Sequence, residues 1–135
     1  MIVLDASAAV ELVLGTAIGR TVARRIAPAR ESVHAPHLID VEVAQALRRG
    51  AASGRASGQR FREALDDFCA LDLERYPHDI LLPRIWELRA NLSAYDAAYI
   101  ALAEALSAPL MTCDAALHEA PGSRAEVEVL SRQPR

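Results

Sequence analysis

The sequence predicts a three-layer α/β/α protein in which helices cover both faces of a mostly parallel sheet. Apolar runs that are too short for helices alternate along the chain with longer segments of helical periodicity, and this alternation is typical of parallel sheets. The chain has 135 residues, 52% of them hydrophobic, which is the size and apolar content of one domain. We therefore expect a single domain over residues 1–135.

The first part of the chain predicts a strand, two helices and a second strand. Residues 1–4 are apolar and too few for a helix, so they predict a buried strand. An Ala- and Leu-rich helix follows over 6–14 and ends at Gly15. The next helix, over 16–27, begins at a threonine suited to N-capping and ends before a proline. Residues 32–35, again just before a proline, predict the second strand.

The middle of the chain predicts two more helices and a third strand. Apolar residues recur at helical spacing over 37–52 and again over 57–71, and two glycines mark the turn between these helices. Residues 72–76 precede Pro77 and are too few for another helix, so they predict a short strand.

The last part of the chain continues the alternation. In order, we expect a helix over 79–89, the strongest helix in the sequence over 93–106, a strand over 109–112, a short helical turn over 114–119 and a strand over 127–130. Pro83 falls in or near the first turn of the first of these helices, where proline is tolerated. Residues 131–135 are expected to fray.

The charged residues exclude several classes of protein. The chain carries 15 basic and 18 acidic residues, a formal net charge of −3, so it lacks the cationic surface of a protein that coats nucleic acid. All 15 basic residues are arginines, and without lysine neither a P-loop nor Schiff-base catalysis is available. Ser7 stands two residues after Asp5, where haloacid-dehalogenase-like phosphatases need a second aspartate.

The sequence shows no signal for export or for a membrane. No apolar run approaches the ~20 residues that cross a bilayer, and the first residues lack the basic stretch of a signal peptide. Two cysteines, Cys69 and Cys113, are too few for a disulfide framework. We therefore expect a cytoplasmic protein without a membrane partner.

Four acidic residues lie where the chain enters a helix: Asp5, Glu42, Asp96 and Asp114. Asp5 and Asp114 follow predicted strands, while Glu42 and Asp96 lie in the first turns of predicted helices. In a parallel sheet these positions share the rim at the carboxyl ends of the strands, where ligands bind. We therefore expect the four carboxylates to lie close together.

Each of these acids also has a purely structural interpretation. Asp5 and Asp114 are suitable helix N-caps, Ser93 and Asp96 form a capping box, and an acid such as Glu42 is favoured near a helix N-terminus. Four converging carboxylates, however, repel one another and lose hydration unless a cation joins them. Oxygen ligands without a His/Cys cluster favour Mg²⁺ or Mn²⁺ over Zn²⁺.

Four segments that contain these acids resemble the motifs of PIN-domain nucleases. They are VLDAS at 3–7, VEVAQALRR at 41–49, LSAYDAAYIALA at 92–103 and PLMTCDAAL at 109–117. Their order and spacing, and the length of the chain, are similar to those of the VapC toxins of bacterial type II toxin–antitoxin systems. The resemblance covers nearly the whole chain, and the third motif followed closely by the fourth is its most specific part.

The resemblance implies an endoribonuclease that depends on Mg²⁺ or Mn²⁺ and leaves a 5′-phosphate and a 3′-hydroxyl. It implies that all four acids are catalytic, with Asp5, Asp96 and Asp114 as metal ligands. Glu42 would orient water or complete the ligand set. One metal ion would activate water, and a second ion, or a residue in its place, would stabilise the leaving oxygen.

Three further residues are candidates for contacts near the reacting phosphate. Ser7 and Thr112 match small hydroxyl positions that the family has beside the metal. Arg49 lies seven residues after Glu42, about two turns along the same helical face, and arginine binds phosphate through two hydrogen bonds. Four more arginines follow nearby, and each is also explained as a solvated residue: Arg48, Arg55, Arg60 and Arg62.

The sequence departs from the family at one position. Many relatives carry another Asp or Asn shortly after the acid of the fourth motif, but Ala116 and Leu117 stand here. Glu119 is the acid that would have to replace it. The number of metal ions, one or two, is therefore left open by the sequence.

The same resemblance implies three partners: an RNA substrate, a cognate VapB-like antitoxin and a second copy of the chain in a homodimer. The segments 10–14 and 61–68 are apolar enough to receive a helix of the antitoxin. Two alternatives stay open, a PIN-like module that has lost catalysis and only binds a partner, and a metal-dependent DNase that uses the same acids.

Several other side chains are expected to pack rather than to take part in chemistry. Cys69 and Cys113 are expected in the core, and Trp86 in the core or in a subunit interface. Tyr95 and Tyr99, one helical turn apart, are expected to pack rather than to stack on substrate.

Overall fold

The computed structural model describes residues 1–131, so the predicted fraying of the chain end lies, apart from Ser131, outside the described residues. Residues 1–131 form five strands, six α-helices and two short 3₁₀ helices. The strands are β1 Ile2–Leu4, β2 Val33–Pro36, β3 Leu73–Tyr76, β4 Leu110–Thr112 and β5 Val127–Val129. The α-helices are α1 Ala6–Leu14, α2 Ala17–Ile26, α3 Ile39–Ala52, α4 Gly58–Cys69, α5 Leu82–Glu87 and α6 Ala94–Leu106. The 3₁₀ helices are Asp79–Leu81 and Ala115–Leu117.

The five strands form one parallel sheet in the order β3-β2-β1-β4-β5. β1 lies at the centre, where Val3 is aligned with His34 on β2 and with Leu110 on β4. All three residues of β1 are buried, because helices cover both faces of a parallel sheet. The predicted parallel sheet is confirmed.

The strand order places helices on both faces of the sheet. The chain runs from β1 through β2 to β3, then crosses to β4 on the other side of β1. Because parallel crossovers are right-handed, the helices that precede β3 lie on one face and those between β3 and β4 lie on the other. Packing agrees, since α1 contacts α2, α3 and α4 whereas α5 contacts α6. The predicted three-layer α/β/α architecture is confirmed.

Helix α6 is the central helix of its layer. Seven consecutive residues, 97–103, are buried, and the helix contacts β1, β2 and β4. Because a crossover helix begins near the carboxyl ends of the strands, the first turn of α6 lies at the rim where the acids were expected.

The two helices that follow β1 approach each other closely at Gly19 on α2. A Cβ atom at this position would overlap the carbonyl oxygen of Glu11 on α1. Among the described residues, no single helix is both long and apolar enough to cross a bilayer, and α1 and α2 reach those values only together, as a pair bent by 105°.

The single helix predicted over 79–89 is wrong, because the segment is divided into a 3₁₀ helix and α5. Pro83 lies in the first turn of α5, where its missing N–H prevents a continuous α-helical hydrogen-bond ladder from residue 79. Trp86 on α5 is 67% exposed, which corrects its predicted place in the core and leaves the interface alternative.

Cys69 is exposed rather than buried, which corrects its predicted place in the core. The buried face of α4 carries Phe61, Ala64 and Phe68, and Cys69 leaves that face because it lies about 100° beyond Phe68 around the helix. The same burial removes Phe61 and Phe68 from the surface on which an antitoxin helix was expected. Cys113 is half-buried against the core.

Candidate active site

The four predicted acids lie around the carboxyl ends of β1 and β4 or in the helices that begin nearby. Asp5 follows β1 directly, and its backbone N–H donates to the carbonyl of Met111 on β4 at 2.9 Å. Asp114 lies two residues after β4, while Glu42 and Asp96 lie in the first turns of α3 and α6. The direction of the chain across the sheet reverses between β1 and β4, and such switch points form crevices that bind ligands.

Two hydroxyl groups hold the carboxylate of Asp5. Ser7 and Thr112 each donate a hydrogen bond of 2.7 Å to Asp5 Oδ2. The same hydroxyl oxygens accept bonds from the backbone after β4, from the N–H of Cys113 to Ser7 at 2.9 Å and from the N–H of Asp114 to Thr112 at 3.0 Å. The backbone therefore orients both hydroxyls, and the hydroxyls orient Asp5.

This arrangement is not helix capping. The side chain of Asp5 makes no capping bond to α1, although the residue is only 8% exposed. Both hydroxyl bonds go to Oδ2, and among residues 1–131 no other side chain donates to Oδ1. Because no buried side-chain oxygen of the described residues lacks a partner, Oδ1 reaches solvent, where it is available for a cation.

The hydroxyls of Ser7 and Thr112 are thus committed to Asp5, which differs from the substrate contact expected for them. Thr112 is fully buried, so it has no surface to offer a substrate. The structure assigns both residues to the support of Asp5 instead.

Capping explains part of the contacts of the other two aspartates. Asp114 Oδ1 accepts from the N–H of Ala116 at 2.9 Å, and the N–H of Asp96 donates to Ser93 Oγ at 3.2 Å. Burial raises the pKa of Asp96, and the negative charges of Asp5 and Asp114 raise it further, against a hydrogen bond from Ser93. The three aspartates are therefore electrostatic neighbours.

Glu42 is linked to α6 through Tyr99. The hydroxyl of Tyr99 donates to Glu42 Oε1 at 2.6 Å, and Tyr99 itself is fully buried. Burial raises the pKa of Glu42, the bond from Tyr99 opposes this rise, and the charges of Asp5 and Asp96 add to it. Asp5, Asp96 and Asp114 therefore each raise the pKa of at least one other acid of the cluster, and Glu42 responds to two of them.

The cluster is not a ready-made metal cage. Within residues 1–131, no three His, Cys, Asp or Glu side chains are placed as the complete ligand set of one ion. The donors nevertheless suit a hard divalent cation, because Mg²⁺ and Mn²⁺ prefer carboxylate oxygens. A cation would also relieve the repulsion that raises the pKa values of Glu42 and Asp96.

Arg49 shares the exposed face of α3 with Glu42 and lines a groove together with Gln45 and Tyr95. Tyr95 is 66% exposed, so the packing expected for it is wrong, whereas the packing expected for Tyr99 is confirmed. The difference arises because Tyr95 precedes the buried stretch of α6.

The remaining predicted residues contact other parts of the fold. Arg60 donates to the carbonyl of Val13 at 3.3 Å, and Arg62 pairs with Asp66 at 3.2 Å, which favours the structural interpretation of both arginines. Glu119 is exposed and is not among the charges that raise the pKa of Asp96 or of Glu42.

Tyr99 is a member of the site that the sequence analysis missed. It lies three residues after Asp96, one turn along α6, and a buried tyrosine hydroxyl requires a hydrogen-bond partner. In a helix as apolar as α6, this requirement points to a hydrogen-bond acceptor on a neighbouring helix.

Known proteins resemble this chain over almost its whole length. The family model described as PIN domain matches residues 2–123. VapC ribonuclease Mb0985 of Mycobacterium bovis is 44% identical over 132 residues, which cover 98% of this chain and 100% of that protein. Nucleases with a PIN domain are generally dependent on a divalent metal ion.

Two solved structures share the fold. The crystal structure of PAE2754 from Pyrobaculum aerophilum superposes with a TM-score of 0.69 at 24% identity and covers 96% of this chain and 83% of its own. VapBC2 from Rickettsia felis, bound to a DNA fragment from its promoter, gives a TM-score of 0.68 at 16% identity and covers 97% of this chain and 100% of its own. Because the family model spans most of the residues and the Mycobacterium bovis relative aligns along its full length, the chain belongs to the PIN-domain family, among the VapC ribonucleases.

Proposed function

We propose that this protein is a VapC-type toxin, an endoribonuclease that depends on Mg²⁺ or Mn²⁺ and is neutralised by a cognate VapB-like antitoxin. The observation that carries the proposal is the meeting of four acids from four elements at the switch point of the sheet. The name of the Mycobacterium bovis relative, a VapC ribonuclease, supports it.

In the proposed site, Asp5, Asp96 and Asp114 hold the divalent ion. When bound, the ion would act as a Lewis acid and lower the pKa of a water molecule. Oδ2 of Asp5 would not have to move when the ion binds, because hydrogen bonds from Ser7 and Thr112 already orient it. No complete ligand set is present beforehand among the described residues, so ion binding has to draw the carboxylates together.

Glu42 is proposed as the residue that orients the attacking water. Its Oε1 is held by Tyr99, which leaves Oε2 to accept a hydrogen bond from water. Arg49, two turns further along α3, is proposed to bind a phosphate of the RNA. The expected products carry a 5′-phosphate and a 3′-hydroxyl. Because the net charge of the chain is −3, we expect RNA to be held by this local site rather than by a broad cationic surface.

Two protein partners belong to the proposal. The solved Rickettsia felis protein is a VapBC2 assembly, and by analogy an antitoxin is proposed to bind this chain at the half-buried apolar residues of α1, among them Val10 and Leu14. A homodimer remains predicted, and the exposed Trp86 is a candidate for its interface. The cytoplasm remains the predicted compartment.

The test compares the wild type with Asp5→Asn on RNA and on DNA of the same sequence. We expect RNA cleavage in Mg²⁺ or Mn²⁺, none after chelation, and none by Asp5→Asn, whose circular dichroism spectrum stays native. Asp40→Asn is the matched control, because Asp40 lies on α3 near Glu42 but pairs with Arg75 at 2.8 Å. Full activity of Asp5→Asn would contradict the site.

The same assay separates the two alternatives. Cleavage of DNA at the rate of RNA would identify a DNase. A protein that binds no Mn²⁺ and cuts neither nucleic acid would be a docking module.

A further inference from the structure

A groove of about 490 Å³ opens beside Glu42, between the exposed face of α3 and the first turn of α6. Its walls are formed by Val41, Glu42, Gln45, Ala46, Arg49 and Tyr95. The groove is continuous with the acidic cluster, because Glu42 belongs to both. A molecule that occupies the groove therefore lies next to the proposed cleavage site.

Tyr95 presents an aromatic ring at one wall of this groove. Its side chain is 66% exposed, although it immediately precedes Asp96 at the start of α6. An exposed aromatic ring of this kind offers an apolar face on which a nucleic-acid base stacks, independently of the identity of the base.

Arg49 adds a positive charge to the lining of the groove. Arg25, Arg75 and Arg84 each pair with an acid, whereas Arg49 forms no ion pair with any residue of the described part of the chain. Its guanidinium is therefore available for a phosphate.

Three residues of α3 present polar side chains to the groove. Glu42, Gln45 and Arg49 lie on one face of the helix, and the first and last of them are separated by about 10 Å along its axis. Gln45 lies between them and offers an amide that both donates and accepts hydrogen bonds.

We propose that this groove binds one unpaired nucleotide of the RNA substrate next to the scissile phosphate, with its base stacked on Tyr95 and its phosphate on Arg49. The inference rests on the proposed ribonuclease function, since the acidic cluster defines where the scissile phosphate lies. A base inside a duplex has both faces covered by its neighbours. The groove therefore selects single-stranded loops or ends, in which a base is free to leave the stack.

The experiment measures RNA affinity in a background that does not cleave. The protein carrying Asp5→Asn is titrated with two probes, a hairpin RNA with a randomised single-stranded loop and a fully paired RNA with the same stem. Tyr95→Ala and Tyr95→Phe are added to this background. Ile80→Ala is the control, because Ile80 is a large apolar residue of similar exposure, 62%, that does not line the groove.

We expect Tyr95→Ala to weaken binding of the loop RNA about tenfold and to leave the duplex unaffected. Tyr95→Phe retains the ring and should bind as the parent does, as should Ile80→Ala. Arg49→Gln should weaken binding and reduce its dependence on salt concentration. In the cleaving protein, Tyr95→Ala should raise KM for the loop RNA more than it lowers kcat.

Three results would overturn the inference. Unchanged affinity of Tyr95→Ala for the loop RNA would remove the stacking role, and an equal loss on duplex RNA would remove the selection of unpaired bases. A change in molecular mass or in antitoxin binding without a change in RNA affinity would assign the groove to a protein partner. All three leave the ribonuclease proposal standing, because that proposal fails only in the cleavage assay.

Discussion

Two tyrosine hydroxyls hydrogen-bond inside the fold, but only one of them contacts the acidic cluster. Tyr99 donates to Glu42 at 2.6 Å, whereas the hydroxyl of Tyr76 lies 2.7 Å from Nδ1 of His34 on the neighbouring strand. Glu42 is half-buried, so the loss of its donor costs stability and also frees its carboxylate to rotate. Tyr76 has no link to the four acids and so provides a comparison.

We expect Tyr99→Phe to lower kcat for RNA cleavage about tenfold with little change in KM, because Glu42 loses the bond that orients it. Both Tyr99→Phe and Tyr76→Phe should lower the free energy of unfolding by about 1 kcal/mol. Steady-state kinetics and urea unfolding measure the two effects. Equal losses of activity in both variants would mean that the hydroxyl of Tyr99 acts only through stability.

These contacts mark the limit of what the residues alone could predict. The four acids stand out because each begins a helix, a feature visible within a few positions of the sequence. The bond from Thr112 to Asp5 joins residues 107 positions apart, and that from Tyr99 to Glu42 joins residues 57 apart. No local pattern records such pairings, so neither the bond from Thr112 to Asp5 nor that from Tyr99 to Glu42 was expected.

At the scale of helices and strands, the ends of elements were predicted well wherever the chain carries a stop signal. Gly15 ends α1 with φ at 66°, in the left-handed region, and its N–H bonds back to Glu11 and Leu12 carbonyls. The prediction failed over 79–89, where we expected one helix with Pro83 in or near its first turn. Pro83 instead lies in the first turn of a separate helix, α5.

The contact between α1 and α2 depends on the absence of a side chain at Gly19. Gly19→Ala should lower the free energy of unfolding by about 1–3 kcal/mol, because the added methyl group overlaps the backbone of α1. Gly58→Ala is the control, since a Cβ there meets nothing within 4 Å and should raise stability by about 0.5 kcal/mol. Urea unfolding of both variants checks the pair, and equal effects would show that the two helices can move apart at no cost.

For the molecule as a whole, the acidic cluster lowers stability when no cation is present. The pKa of Asp96 is raised above its ordinary value of 3.8 in the folded chain. The stability that Asp96 contributes is therefore fully present below pH 3.8 and is lost as the pH rises through its pKa in the folded chain. His34 acts in the opposite sense, because burial lowers its pKa from 6.5 and its contribution is lost as the pH falls. A substitution at Asp96 alone separates its effect on stability from that of His34.

Without metal ions, Asp96→Asn should therefore raise the melting temperature at pH 7, by roughly a few degrees, and the difference should shrink toward pH 4. Added Mn²⁺ should raise the melting temperature of the wild type more than that of the variant. Calorimetry in EDTA and in Mn²⁺ measures both. Identical melting temperatures in EDTA at pH 7 would show that burial and repulsion of the Asp96 carboxylate have a negligible effect on stability.

The parallel sheet was predictable from alternation alone, but the strand order was not. All five strands have three or four residues. The edge strands β3 and β5 contain charged residues and the inner strands β1 and β4 contain none, but composition does not give the order in which the strands pair. The carboxyl ends of parallel strands share one rim whatever the order of the strands. The convergence of the acids could therefore be expected without knowledge of the topology. The switch point between β1 and β4 became known only from the structure.

The central strand pair joins a segment of the polypeptide that is translated earlier to one that is translated later. Until Thr112 and Asp114 have been translated, Asp5 has neither its second hydroxyl partner nor its neighbour across β4. A nascent or prematurely terminated fragment thus carries an incomplete centre.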